Sequence, residues 1–576
     1  MRSPFKISRR LSDRPLHLPR LSPYVPAPDD PAIFWFNSER EDIVREVAER
    51  VAEAHSGGRE AMELALNDAA YHEIRRLEQQ GGAEAAEQLP YWRGLSRRIA
   101  RMTDEEKRNA LGDLTGRLAG DVAGNFDPRV YNMAKHLVPR LLAGVMQPSS
   151  LPAELLPKRG SEGSVIDRLL RIEGDTQALG ALEKTGTLVY VPTHSSNLDS
   201  IVLGRALEVA GLSPVIYGAG KNLFTNPIIS FFMHNLGAYR VDRRVRARLY
   251  KEVLKVYSQV MIERGYHSLF FPGGTRSRSN LIENRLKLGL MGSAISAFAH
   301  NQSRGVDRRV FFVPTTINYA LTLEAETLVE DWLKAEGKAR YIIEDDEFSR
   351  LDRWVAFLRK VLGMQAACVV RFGAPVDPFG NPVDADGGSI APGGQKIDPA
   401  SYVRRRGRPT LDDARDAAYT RDLGEVLVRR FRRETVLMST ALVAHVLWRR
   451  IVAHSPRADL FSRLRMRGEV SMSKDDVVRE VAELRDRLAE LQAEGEVRLN
   501  GWLAEAEPEA IVTRALRVWN GYHTRLAAKD VGSDIVAEDP TLLLYYQNRL
   551  VPFAVDVGGA EHEIAAREIA RLGVTR

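Results

Sequence analysis

The chain has 576 residues, 44% of them hydrophobic and 27% charged, and its 82 basic and 76 acidic side chains leave a net charge of +6 at pH 7. This balance excludes disorder over most of the length, and the length suffices for more than one hydrophobic core. The modest basic excess is compatible with an anionic partner such as phosphate or lipid headgroups, and it gives no specific support to nucleic acid. The single cysteine, Cys368, excludes an internal disulfide and a cysteine-rich metal site.

The N-terminal part of the chain is predicted to be a tail followed by helices. Residues 1–38 are basic and rich in proline, without the apolar segment that a secretory signal needs, although a transit peptide is an alternative interpretation. Between residues 39 and 150, apolar side chains such as Ile43, Val47 and Val51 recur at the spacing of one helix face, which predicts a helical domain. No run of about 18 apolar residues occurs in the chain, so no membrane-spanning helix is expected.

Residues 151–375 are predicted to form an α/β domain with a mostly parallel sheet flanked by helices. Short apolar segments, which are expected to be buried strands, alternate there with helical patterns. The expected strands are 187–192, 214–218, 238–242, 267–272, 309–316 and 366–373. Ligands of such sheets usually bind beyond the carboxyl ends of the strands, so reactive side chains at those positions are the candidates for a functional site.

The last third of the chain is predicted to be a loop region, 376–410, followed by a helical domain, 411–576. Residues 376–400 contain five glycines and four prolines, which favour a long surface loop, and the basic run 404–409 follows them. An apolar stripe runs along one of the later helices: Val477, Val481, Leu484, Leu488 and Leu491. Two heptads are too few for a stable coiled-coil dimer, so packing against the chain's own body is favoured over that alternative.

His194 and Asp199 are the first candidates for catalysis. They lie five residues apart in the segment THSSNLDS, which follows the expected strand 187–192. On one continuous helix this spacing would separate the two side chains by about 140°. A turn after His194, followed by a helix from about 198 to 210, would let Asp199 accept the Nδ1 proton and leave Nε2 free to remove a proton. The spacing alone is a weak signal, and a histidine that caps a helix is the alternative.

Three further candidate segments follow expected strands. After 267–272 come two glycines and then residues 275–279, whose amides, guanidiniums and hydroxyls suit a phosphate group. Arg243 and Arg244 follow the strand 238–242 and would face the same anion, with a solvated helix start as the alternative. Pro314 is predicted to end a strand in the segment VFFVPTTINY.

In their order along the chain, these four segments resemble the four sequence blocks of the glycerolipid acyltransferase superfamily. His194 and Asp199 match the H-x4-D block, and GAYRVDR, FFPGGTRSRS and VPTTINY match the second, third and fourth blocks. The resemblance spans about residues 190 to 375. The segments 439–448 and 541–553 are similar to C-terminal segments of bacterial glycerol-3-phosphate acyltransferases.

The chain departs from the block patterns at two places. Gly273 stands where the third block, usually written F-x-E-G-T/G-R-S-R, has glutamate. The second block reads Val241-Asp242-Arg243, which is closer to the lysophosphatidate acyltransferases.

The resemblance implies an enzyme that moves a fatty acyl group from acyl-CoA or acyl carrier protein to the sn-1 hydroxyl of glycerol 3-phosphate, giving lysophosphatidate in the first step of phospholipid synthesis. His194 would act as the general base, oriented by Asp199, without a metal or another cofactor. The substrate-binding residues that the resemblance implies are Arg243, Gly274, Arg276, Ser277, Arg278 and Pro314.

Two alternative functions and one cellular location follow from the same residues. The acceptor is alternatively lysophosphatidate or another phosphorylated alcohol, and Gly273 leaves open a non-catalytic lipid-binding protein that keeps the fold. Because the product must reach a bilayer, a peripheral location at the cytoplasmic face of the cell membrane is expected, with docking through Phe231, Phe232 and Met233. Nucleic acid is not an expected partner.

Overall fold

The computed structural model describes residues 24–135, 170–220, 227–336, 368–520, 523 and 525–553. Within these ranges, the largest sheet has seven strands. They are Leu170–Glu173 (β1), Gly186–Pro192 (β2), Ile216–Gly220 (β3), Ala238–Val241 (β4), Ser268–Leu269 (β5), Arg309–Tyr319 (β6) and Cys368–Phe372 (β7). The first 23 residues of the predicted tail and the predicted domain boundary near residue 150 lie outside the described residues.

The strands are arranged across the sheet in the order β1-β7-β6-β2-β5-β3-β4. The five strands from β6 to β4 run parallel to one another, whereas β7 is antiparallel to β6 and β1 is parallel to β7. The predicted α/β fold with a mostly parallel sheet is therefore confirmed. The central strands β2 and β6 are buried almost throughout, as expected for strands that helices cover on both faces.

Helices connect the strands and place the candidate segments at one edge of the sheet. Their bounds are Thr176–Glu183, Asp199–Val209, Pro227–Asn235, Arg248–Glu263, Leu288–Ser303 and Ala325–Glu336. The fourth of them ends at Gly265, whose φ of +89° is a conformation that residues with a side chain rarely adopt. Because β2, β4 and β5 are parallel, their carboxyl ends meet at the same edge, and the three basic or histidine-bearing segments follow these ends. Among the described helices, none combines the length and the apolar character needed to cross a bilayer.

The N-terminal helices pack against the α/β core. Their bounds include Phe36–Ala54, Arg59–Gln80, Gly82–Arg98 and Asp104–Val122. Ile43 and Val47 of the predicted apolar face are fully buried, and they share one hydrophobic cluster with Tyr257 of the core. The guanidinium of Arg50 also binds the carboxylate of Glu263 at 2.7 Å. The predicted helical region therefore covers the sheet-bearing part of the chain.

The loop region 376–410 contains regular structure that the sequence did not predict. Its short strands are Ser389–Ile390, Lys396–Ile397, Arg404–Arg405 and Arg408–Pro409, which pair as two antiparallel ribbons. The carboxylate of Asp377, which is 2% exposed, accepts the N–H groups of Phe379 and Asn381 at 2.9 Å each. Carboxylate-bound turns of this kind let glycine-rich sequence fold back on itself, so the prediction of a surface loop without regular elements is wrong here.

The C-terminal part is mostly helical and, in its described residues, includes two small sheets, of two and three strands, that the sequence did not predict. Its helices are Asp413–Glu434, Ser439–His454, Leu460–Leu464, Lys474–Ala493, Gly501–Glu505, Pro508–Trp519 and Pro540–Gln547, and its strands are Val436–Leu437, Ser471–Ser473, Arg498–Leu499, Ala528–Val531 and Asp534–Ala537. Val477, Val481 and Leu488 of the predicted stripe are fully buried in the cluster that also contains Phe312 of β6. The stripe therefore packs against the chain's own body, as favoured from the sequence.

Pro314 does not end its strand, so that prediction is wrong. β6 continues to Tyr319, five residues further along. Nitrogen atoms two residues apart in a strand face the same side, and the N–H of Phe312 donates to Val376 at 2.8 Å, on the side away from β2. The proline nitrogen, which carries no hydrogen, faces that side as well. Proline therefore removes no hydrogen bond from the ladder between β6 and β2.

Candidate active site

His194 and Asp199 meet at the carboxyl end of β2. The chain turns directly after the strand, and the helix Asp199–Val209 begins after the turn. Nδ1 of His194 lies 2.8 Å from Oδ2 of Asp199, and the carboxylate is fully buried whereas the imidazole is 17% exposed. An ionised carboxylate only accepts hydrogen bonds, so Nδ1 carries the proton and Nε2 presents its lone pair. This arrangement is the one that a proton-abstracting imidazole requires.

Three carboxylates hold the turn formed by residues 194–197, and each of its four backbone N–H groups donates to one of them. The first N–H donates to Oε1 of Glu283 at 2.7 Å, and the last donates to Oε1 of Glu324 at 3.0 Å. The two N–H groups in between both donate to Oδ2 of Asp199, at 2.7 and 3.0 Å. Because all four amides are paired within the protein, the conformation of the turn is fixed before any substrate binds.

Burial changes the titration of the two glutamates that hold the turn. Desolvation raises the pKa of Glu324 above its ordinary value, and the positive charge of Arg276 acts in the opposite direction. Desolvation also raises the pKa of Glu283, against the effect of the N–H that it accepts. A neutral carboxyl group still accepts hydrogen bonds through its carbonyl oxygen, so the turn keeps its acceptors in either protonation state.

Two aromatic residues that the sequence did not indicate complete the surroundings of the pair. Tyr319, the last residue of β6, donates its hydroxyl to Oδ1 of Asp199 at 2.7 Å. The ring of Phe271 stacks on the imidazole of His194, with ring centroids 4.1 Å apart. The hydrogen bond from Tyr319 occupies Oδ1 of Asp199, so Oδ2 remains available to the imidazole. The stacking on Phe271 restricts rotation of the His194 ring.

The loop that follows β5 lies directly against the turn. The N–H of Ser277 donates to the backbone carbonyl of His194 at 2.7 Å. Nη1 of Arg276 lies 3.3 Å from Oε1 of Glu324, the carboxylate that also holds the end of the turn. The structure therefore brings together the candidate segments that follow β2 and β5.

Two groups expected to bind phosphate are engaged within this loop instead. The N–H of Gly274 donates to the carbonyl of Phe271 at 3.1 Å, and the hydroxyl of Ser277 donates to the carbonyl of Leu281 at 2.9 Å. A Cβ on Gly274, whose φ is +73°, would lie 2.4 Å from Cδ of Lys287, a further cation that the sequence did not indicate. The need for glycine at this position is therefore conformational and steric, and the structure does not present these two donors to an anion.

Arg243 and Arg276 form the basic side of the site. Among the described residues, Arg243 makes no hydrogen bond or ion pair, whereas the adjacent Arg244 pairs with Asp242 at 3.4 Å. Desolvation by neighbouring protein atoms, and after it the nearby charge of Arg276, lower the pKa of Arg243, although the residue is exposed. Of the two neighbouring guanidiniums only that of Arg276 pairs with Glu324, which leaves an excess positive charge that suits a bound anion.

Two other residues expected to bind substrate, Arg278 and Pro314, differ in their surroundings. Arg278 is exposed, and within the described part of the chain it makes no hydrogen bond or ion pair. Pro314 is buried inside β6, and the next residue, Thr315, accepts the N–H of Thr193 at 3.0 Å. Pro314 thus belongs to the strand that supports the turn, and its side chain does not open to solvent.

In the described ranges, no three His, Cys, Asp or Glu side chains are grouped so that they could hold a metal ion. The residues that sequence reasoning missed are Phe271, Glu283, Lys287, Tyr319 and Glu324. The sequence contained one indication of Glu283: position 273 lacks the glutamate of the third block, and a glutamate occurs ten residues later, at position 283.

Replacing Tyr319 with phenylalanine removes the hydroxyl that donates to the buried Asp199. We expect the free energy of unfolding to fall by about 1.5–3 kcal/mol, the usual contribution of a hydrogen bond to a charged group. Tyr217→Phe is the control, because that hydroxyl donates only to the weakly accepting sulfur of Met233 at 3.3 Å, and it should cost less than about 0.5 kcal/mol. Urea unfolding measures both variants, and equal losses would show that Tyr319 does not hold Asp199.

The segment that forms this site matches a known protein family. Residues 175–318 match the family model described as Acyltransferase. Over 145 residues, the chain is 32% identical to the glycerol-3-phosphate acyltransferase of Haemophilus influenzae strain PittEE, an alignment that covers 25% of this chain and 17% of that protein. Over 191 residues, it is 32% identical to the protein of the same name from Actinobacillus pleuropneumoniae serotype 5b, with coverage of 33% and 21%. Over 210 residues, it is 30% identical to that of Aeromonas hydrophila, with coverage of 36% and 24%.

The similarity is confined to one part of each protein. The chain covers less than a quarter of the length of each of these relatives. The matched residues include the first three segments that resemble the acyltransferase blocks and the fourth up to Asn318, so the resemblance expected from the sequence is confirmed. Residues 175–318 match the acyltransferase family model, and in this region the chain is similar to bacterial glycerol-3-phosphate acyltransferases.

Proposed function

We propose that the protein transfers a fatty acyl group from acyl-CoA or acyl carrier protein to the sn-1 hydroxyl of glycerol 3-phosphate, giving lysophosphatidate. The observation that carries this proposal is the His194–Asp199 pair next to the basic pair of Arg243 and Arg276. A base beside a phosphate-binding cation suits a small acceptor that carries both a hydroxyl and a phosphate. The relatives' names, glycerol-3-phosphate acyltransferase, support the same acceptor.

In the proposed reaction, His194 acts as the general base. Its Nε2 removes the proton from the acceptor hydroxyl while the hydroxyl oxygen attacks the thioester carbonyl. The C–S bond then breaks, the new ester forms, and the imidazolium returns the proton to the departing thiolate. Asp199 accepts the Nδ1–H at 2.8 Å and stabilises the imidazolium between these two proton transfers. This direct transfer uses no covalent acyl-enzyme, no metal and no other cofactor.

Arg243 and Arg276 are the proposed phosphate ligands. Arg276 is held in place by Glu324, which lies 3.3 Å from its Nη1. Arg243 has no acidic partner among the described residues, so its guanidinium is available to phosphate oxygens in fork geometry. A bound phosphate would also relieve the repulsion between the two guanidiniums. Arg278 has a smaller role in this proposal.

The purified protein is expected to acylate glycerol 3-phosphate, and His194→Ala is expected to lower kcat about 10²–10⁴-fold, the usual contribution of a general base. Palmitoyl-CoA and palmitoyl carrier protein are offered as donors in separate assays, and the product is identified as lysophosphatidate. His454→Ala, which removes an exposed histidine at the end of a helix, is the control and should be unchanged.

Each other outcome of this assay contradicts one part of the proposal. Turnover with lysophosphatidate as the only accepted acceptor would support His194 as the base and contradict glycerol 3-phosphate as the acceptor. Full turnover in the His194→Ala variant would overturn the base. A folded wild-type protein that is inactive with every donor and acceptor would favour the non-catalytic lipid-binding alternative.

Arg243→Ala is expected to raise KM for glycerol 3-phosphate about 10–100-fold, because it removes a charged hydrogen-bond donor to the phosphate. Arg278→Ala is the matched control, an exposed arginine in the neighbouring loop, and should change KM less than about threefold. Steady-state kinetics at a saturating donor concentration measures both variants. A rise in KM for Arg278→Ala as large as that for Arg243→Ala would return Arg278 to the phosphate site, as the family resemblance implies.

We also propose that the protein docks as a peripheral protein on the cytoplasmic face of the cell membrane. The helix Pro227–Asn235 bears Phe231, Phe232 and Met233, all only partly buried, and it packs near β4, which leads into the exposed arginines of 243–248. Partly exposed apolar residues beside cations are suited to an anionic lipid surface. We expect the protein to float with phosphatidylglycerol liposomes and not with phosphatidylcholine liposomes. Absence of binding to both kinds, with folded protein, would contradict this location.

A further inference from the structure

We infer that Glu283 positions His194 for the proposed acyl transfer, on which this role rests, and that its side chain occupies the space beside Gly273 where the third block usually places a glutamate. Glu283 lies outside the four blocks, in the loop that follows the third one. It contacts the backbone of His194, not the ring, so it acts on the reaction through the placement of the base.

The contact between Glu283 and His194 is short and enclosed. Oε1 of Glu283 accepts the backbone N–H of His194 at 2.7 Å, just where the chain leaves β2 and begins the turn. Oε2 of the same carboxyl group is buried and has no hydrogen-bond partner among the described residues. Burying a carboxyl oxygen without such a partner is unfavourable, so simple space filling would be better served by an apolar side chain. Two interactions use the carboxyl group: the hydrogen bond to His194 and the favourable charge interaction with the guanidinium of Arg549.

Glu283 fills the space that a side chain at Gly273 would need. A Cβ on Gly273 would lie 3.3 Å from Cγ of Glu283 and 3.7 Å from its Oε1. Gly273 is not among the glycines with positive φ, so its backbone conformation accepts a residue with a side chain. A glutamate at 273 would therefore enter the same region as Glu283. The chain provides one carboxyl group there, and it comes from ten residues further along the sequence.

The C-terminal part of the chain holds the loop that carries Glu283. Nδ2 of Asn548 donates to the carbonyl of Ser279 at 2.9 Å, and Nδ2 of Asn280 donates to the carbonyl of Tyr545 at 3.1 Å. Asn280 adopts a φ of +63°, a conformation in the left-handed region that these contacts help to maintain. The position of Glu283 is thus set by residues more than 260 positions away in the sequence, as the separation of 265 between Asn280 and Tyr545 shows.

Four variants of the full-length protein test whether the carboxyl group can be moved from position 283 to position 273. Glu283→Ala is expected to lower kcat with glycerol 3-phosphate about 10–100-fold at nearly unchanged KM, because the base is displaced while the phosphate site is intact. Glu283→Gln keeps an oxygen acceptor for the N–H and should stay within about threefold of the wild type.

The exchange of the two positions is the decisive comparison. Gly273→Glu alone should lower kcat, because a second carboxyl group enters a space that Glu283 already fills. The double variant Gly273→Glu/Glu283→Ala should regain about tenfold over Glu283→Ala, so the effects of the two changes are strongly non-additive. Thermal unfolding of each variant accompanies the kinetics.

Three results would overturn the inference: wild-type kcat in Glu283→Ala, equal impairment of Glu283→Gln and Glu283→Ala at wild-type thermal stability, or a double variant no better than Glu283→Ala. If Glu283→Ala does not fold, the glutamine and double variants still decide the question.

A measurement without substrate separates this inference from the proposed function. Diethyl pyrocarbonate modifies neutral imidazole nitrogens, and peptide mass spectrometry reports its rate at His194. We expect the rate to rise severalfold in Glu283→Ala, because the ring leaves its stack on Phe271, and to return to the wild-type value in Glu283→Gln and in the double variant. This pattern in a protein inactive with glycerol 3-phosphate would overturn the function and keep the positioning role, and an unchanged rate in Glu283→Ala would overturn the positioning role.

Discussion

The pairing of four consecutive amide groups in the turn 194–197 is the constraint on which the rest of the site depends. A turn at the carboxyl end of a buried strand points its N–H groups into the protein, where each of them needs an acceptor. Here the acceptors are the carboxylates of Asp199, Glu283 and Glu324. Asp199 thereby has two tasks, since the oxygen that orients the imidazole also accepts two of these amides. Its second oxygen is held by Tyr319, so the carboxylate cannot rotate away from the histidine.

Three carboxyl groups around one turn repel one another when they are ionised, and nearby arginines offset this repulsion. Arg276 lies against Glu324, and the buried guanidinium of Arg549 interacts favourably with Glu283. With these charges matched, Arg243 is a cation of the site that has no acidic partner among the described residues. The same arrangement limits what the turn can do. Because its amides are all bound by carboxylates, none is available to an oxyanion that forms on the thioester carbonyl.

The parts of the site formed by residues close together in the sequence could be predicted, and the parts formed by residues far apart in the sequence could not. The pairing of His194 with Asp199 follows from a strand, a turn and a helix start within a few residues. The parallel sheet follows from alternating apolar strands and helices, which also places basic segments at one edge. Tyr319 and Glu324 escaped prediction because each bonds a group more than a hundred residues away. Glu324 lies outside the four blocks, and the position of Tyr319 at the end of the fourth block does not show that its hydroxyl reaches Asp199. Pro314 was misplaced for a related reason: whether a proline ends a strand depends on which neighbour its nitrogen faces.

The origin of the carboxylates has a consequence for the order in which the molecule assembles. The contacts that fix the two ends of the turn join residues 89 and 127 positions apart, and the loop bearing Glu283 is tied to residues 545–549. Contacts between such distant residues form late, because closing the long loops between them costs chain entropy before the contacts contribute any stabilisation. A chain that has already formed its helices and strands is therefore expected to lack the contacts that hold His194 in place. We therefore expect His194 to reach its final position only once the C-terminal part has docked, so that the candidate site forms together with the whole molecule.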